Sequence, residues 1–146
     1  MAQQEIVTEE LINQISESKS PEFIRGLGSG VSMDLSSYLN AKLAEKGLKK
    51  SAVIKAAQLN ETFGYQIFSG QRKASRDKVL ALGLAMGLDL HDMRLLLAHA
   101  NLGDLYPKNR RDAVLIYCVS HGFGLIKTDE ALFDLGLDTV SDAGDN

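Results

Sequence analysis

Cys118 and His121 are the first pair to weigh for chemistry, since a thiol beside an imidazole is the minimal nucleophile and base. At i and i+3 of one apolar helical run they lack the third group that would orient a base, which favours a buried, inert cysteine. His91, His99 and His121 have no close cysteine or carboxylate partners at metal-site spacing, so neither a metal site nor a cofactor is expected. The run GLGSG at residues 26–30 has the glycine content of a phosphate loop, but no Lys-Ser/Thr pair closes it and no apolar strand precedes it. With neither an acid–base pair nor a phosphate loop, catalysis is not expected.

Charge is the remaining chemical signal. The net charge of −3 hides a strong asymmetry. Residues 42–78 hold nine Lys/Arg (Lys42, Lys46, Lys49, Lys50, Lys55, Arg72, Lys73, Arg76 and Lys78) against Glu45, Glu61 and Asp77, while both flanks are acidic. Such a basic block either solvates helix faces or meets a polyanion, and its position within a motif decides between them.

These residues need elements to position them. A 45 % hydrophobic content suits an ordinary core in a chain of 146 residues, and few aromatics, no Trp and only two prolines favour helices, so the expected fold is all-α. One cysteine forms no internal disulfide and the start MAQQEIVTEE lacks a secretory pattern, which points to the cytoplasm. Apolar stretches such as 113–119 fall far short of the roughly 20 residues that cross a membrane.

The spacing predicts a short helix over 7–17, a linker over 26–33, and a first core helix from Asp34 through Leu35, Leu39 and Leu43 to Gly47. Helical spacing resumes over 50–57; Asn60 then caps 61–69, which Gly70 stops. Ser75 caps a helix closed by Gly87, and Asp89 starts another carrying Met93, Leu96 and Leu97. After Pro107 a helix runs to about Gly122, Thr128 is expected to cap a last one, and 141–146 is an acidic tail. No repeat of 20–50 residues occurs. The expected organisation is an N-terminal arm and linker (1–33), a bundle (34–102), a helical extension (103–140) and the tail.

The run GLKKSAVIKAAQLNETFGYQIFSGQR resembles the helix-turn-helix of the phage-repressor (lambda/Cro/XRE) family, and LALGLAMGLDLHDMRLLL resembles that family's fourth and fifth helices, together covering about 35–100. The resemblance implies a lambda-repressor-like five-helix DNA-binding bundle with helical extensions at both ends. Where relatives carry alanine in the first helix of the motif and a branched residue in the second, this chain has Ile54 and Gly64. That exchange conserves volume where the helices cross. In the turn, where relatives commonly carry glycine, Gln58 would cost about 1 kcal/mol in a left-handed conformation.

By the family's pattern, Asn60, Glu61, Thr62 and Gln66 face base edges. Gln66 suits adenine N6 and N7, Thr62 a thymine methyl and Glu61 cytosine N4, although Asn60 is equally suited to being only the helix cap and Glu61 to serving only the helix dipole. Lys49, Lys50, Arg72, Lys73 and Arg76 flank the motif where phosphates would run, which gives the basic block a reason. Phe63, Tyr65, Ile67 and Phe68 read as core rather than base-stacking residues, with the Tyr65 hydroxyl kept as a phosphate contact. The stretch Arg72, Lys73, Ser75 also fits a basophilic kinase site, where added phosphate would repel DNA.

The expected function is a sequence-specific double-stranded DNA-binding transcriptional regulator, working as a homodimer because one reading helix contacts few base pairs. The alternative is a protein-interaction module, such as an antitoxin or adaptor, with a partner held through the terminal helices.

Overall fold

In a computed structural model of the chain, residues 33–141 are described. The helix expected over 7–17, almost all of the linker over 26–33 and the tail after 141 lie outside them. The chain divides between Met33 and Asp34 into two units, and every described helix belongs to the second.

The described residues are all-helical, with seven helices: α1 (Leu35–Lys46), α2 (Lys50–Ala56), α3 (Glu61–Ser69), α4 (Arg76–Ala85), α5 (Leu90–His99), α6 (Arg110–Ser120) and α7 (Leu125–Asp134). Five begin at side-chain caps that satisfy otherwise unpaired N–H groups: Asp34, Asn60, Ser75, Asp89 and Asn109 each accept from the backbone N–H three residues on. No helix among them is long and apolar enough to cross a membrane.

Helix α4 is the hub. Seven of its ten residues, from Lys78 to Leu84, are buried, as expected of a helix covered on every side. It packs against α2, α5 and α7; α1 packs on α3 and α5, and α6 lies between α5 and α7. Leu39, Val53, Ile67, Leu80, Met93 and Leu97 join Leu115, Leu125 and Leu132 in one apolar core. Residues 103–141 are therefore continuous with the preceding bundle, not a detached extension.

Helix α7 corrects one expectation. It starts at Leu125 from Gly124, and Thr128 is fully buried inside it instead of capping it. The earlier start sets Leu125, Thr128 and Leu132 on one inward stripe, and burying two leucines outweighs a side-chain cap.

Candidate nucleic-acid interface

Helices α2 and α3 are joined by residues 57–60 and cross at close range. An added Cβ on Gly64 would stand 2.5 Å from Ile54 Cγ2 and 2.9 Å from its Cγ1, so Ile54 fills the space that glycine leaves. The loop turns at Gln58, whose φ of +57° is left-handed, one of two such non-glycine residues among those described.

The far end of α3 is tied to α1. Ser36 Oγ and Asn40 Nδ2 both donate to the Phe68 carbonyl, and Asn40 also donates to its own helix at the Ser36 carbonyl. A C-terminal carbonyl without an intrahelical partner is thereby satisfied, and α3 is held at both ends. Neither Ser36 nor Asn40 stands out in the sequence, because their shared partner is a backbone atom about 30 positions away.

Along α3 the two faces separate cleanly. Gly64, Ile67 and Phe68 are buried and Phe63 half-buried; Glu61, Thr62, Tyr65 and Ser69 are exposed and Gln66 is half-exposed. Three of the four proposed readers, Glu61, Thr62 and Gln66, thus share the outward face. Asn60 stands at its start with Oδ1 accepting from the Phe63 N–H at 3.0 Å, so its oxygen serves the cap.

Gln66 has a partner that spacing alone does not reveal. Arg72 Nε donates to Gln66 Oε1 at 2.9 Å while the Arg72 guanidinium lies over the Phe63 ring, 5.2 Å from its centroid. Ring and amide together fix the long arginine beside the outward face of α3. Tyr65 is 39 % exposed and, with Ser51, Lys55 and Leu59, lines a hollow of about 350 Å³ between α2 and α3.

Among the flanking cations, Lys49, Arg72 and Lys73 are exposed and Lys50 half-buried, its ammonium 5.5 Å from the Phe68 ring centroid; none has an ion pair among the described residues. Arg76 differs from the expectation. Its Nη1 and Nη2 grip both Asp112 oxygens at 2.9 Å, while Nε and Nη2 donate to the Gly103 and Asp104 carbonyls at 3.1 and 3.0 Å. Asp112 is buried, and a buried carboxylate demands such a partner, so this partly exposed guanidinium is engaged by the protein itself, unlike the other flanking cations. Lys78, also in the basic block, is buried with its ammonium over Phe63.

Burial pushes the Asp112 carboxyl up, but hydrogen bonds from Arg76 and the Tyr106 N–H prevail and hold it below the usual carboxylate range. Burial also raises the Cys118 thiol, which suits packing rather than nucleophilic attack. Among the described residues no group of three or more His, Cys, Asp or Glu side chains is placed to hold a metal ion.

Comparisons of the chain with family models, with curated proteins and with solved structures found no match.

Proposed function

We propose that the chain is a sequence-specific double-stranded DNA-binding regulator in which α2 and α3 form a helix-turn-helix and α3 enters the major groove. The observation that carries this reading is the outward face of α3, where Glu61, Thr62 and Gln66 stand solvent-accessible with Arg72 bonded to Gln66. Side chains of these types match base-edge donors and acceptors, and Gln66 retains its amide N–H₂ for adenine N7 while its oxygen can accept from adenine N6. Lys49, Lys50, Arg72 and Lys73, without ion pairs among the described residues, supply positive charge at the rim, and Tyr65 a phenol. Helices α1–α5 then correspond to a lambda-repressor-like bundle, with α6 and α7 packed on it. Two copies on paired half-sites would provide the contact area that specific binding needs.

The reading is tested by DNA affinity as a function of salt. Lys50→Ala and Arg72→Ala should each weaken binding and flatten the log–log salt slope by about 1. Affinity unchanged in both variants would remove the interface from this face. A protein-interaction role is favoured by a different surface, on α7.

A further inference from the structure

Helix α7 leaves a row of side chains uncovered on its outer face: Ile126, Glu130 and Phe133 follow at i, i+4 and i+7. Ile126 is 67 % and Phe133 75 % exposed, the most exposed of the large apolar side chains described. Beside this row runs an open groove of about 600 Å³, walled by α7 on one side and completed by Thr139 and by Gln58 from the loop between α2 and α3. The Thr139 wall is held in place: Asp129 accepts from the Val140 N–H at 2.6 Å, and Arg111 Nη2 donates to the Thr139 carbonyl at 3.2 Å. Glu130 and Asp134 are both exposed, and neither has an ion pair among the described residues.

We infer that this groove docks a segment of another protein that presents aliphatic side chains flanked by lysine or arginine. Ile126 and Phe133 offer the apolar surface for the aliphatic groups, and Glu130 and Asp134, without ion pairs among the described residues, favour cations next to them. The same charges count against the other occupants. A second copy joined through the same face would bring two such acidic edges into one interface. Residues 1–32 carry five glutamates against Lys19 and Arg25, and residues 142–146 carry two aspartates and no cation, so by net charge neither segment complements the acidic groove edge. The inference does not depend on DNA binding, since none of the proposed DNA contacts lies among the groove residues.

The test uses the full chain, labelled with ¹⁵N, and a synthetic amphipathic helical peptide of about 14 Leu and Lys residues, with a control in which Glu replaces Lys. The Leu/Lys peptide is expected to give saturable shifts at the Gln58, Glu130 and Phe133 amides, and the Leu/Glu control none. Phe133→Ser and the pair Glu130→Lys, Asp134→Lys should each weaken binding by at least about tenfold. Phe133 is three-quarters exposed, so its replacement leaves the core intact, and DNA affinity of that variant should be unchanged. Equal binding by the variants, or shifts scattered away from the groove, would overturn the inference. So would a concentration-dependent dimer abolished by Phe133→Ser, or arm amides that shift in that variant without peptide, since these assign the face to a second copy or to the arm.

Discussion

Arg72 and Gln66 act as a unit in the proposed complex, because the arginine both fixes the glutamine amide and carries charge to the rim. Arg72→Lys keeps the charge and loses the planar fork that holds Gln66 Oε1. Titration of a preferred duplex should therefore show reduced discrimination at the base facing Gln66, with a salt slope close to that of the parent protein; an unchanged preference would separate the two residues. Gln58 offers a stability test at the same scale. Its left-handed backbone is costly for any residue with a Cβ, so Gln58→Gly should stabilise the protein by about 1 kcal/mol in chemical denaturation. A loss of stability would mean that the glutamine side chain contributes more than its backbone costs.

At the scale of elements, the crossing of α2 and α3 rests on one large and one small residue. Ile54→Ala should cost about 2–4 kcal/mol through the cavity it leaves, and Gly64→Ala about 1–3 kcal/mol through overlap with Ile54. The double variant should be more stable than the sum of the two losses implies, by about 1–2 kcal/mol, because the new methyl occupies vacated space. Strict additivity, measured by denaturation of all four proteins, would show that the helices do not meet there. This contact was readable from sequence because the exchange falls at two fixed positions of a short motif. The ends of α1 and α3 were readable for a similar reason: Asp34, Gly47, Asn60 and Gly70 each act within about four residues of themselves. Thr128 departs from its expected role because a local cap preference competes with burial of Leu125 and Leu132 against distant helices, and burial prevails.

Across the whole molecule, α4 and α6 are clasped by reciprocal ion pairs from adjacent residues, Arg76 to Asp112 and Asp77 to Arg111. Each partner lies more than 30 positions away, so nothing local in the sequence distinguishes Arg76 from the other cations around it. Since the folded Asp112 carboxyl lies below its ordinary range, its contribution is present above the unfolded carboxylate pKa and is lost as pH falls through the lower folded value. Asp112→Asn should therefore be less stable near neutral pH by about 2 kcal/mol, and the gap to the parent protein should close below about pH 4. Stability curves against pH check this, and a gap independent of pH would contradict it. The same clasp anchors α6 and α7 to the bundle, so the surface proposed for DNA and the groove proposed for a protein segment belong to one body.

The most direct measurement is selection of duplexes from a random pool by the full chain at low salt, repeated with Gln66→Ala. The proposed function requires enrichment of a defined motif, with Gln66→Ala relaxing preference at one position by about 1–3 kcal/mol and leaving the rest intact. A pool that stays unenriched with the parent protein would contradict the assignment of α3 as a reader of DNA.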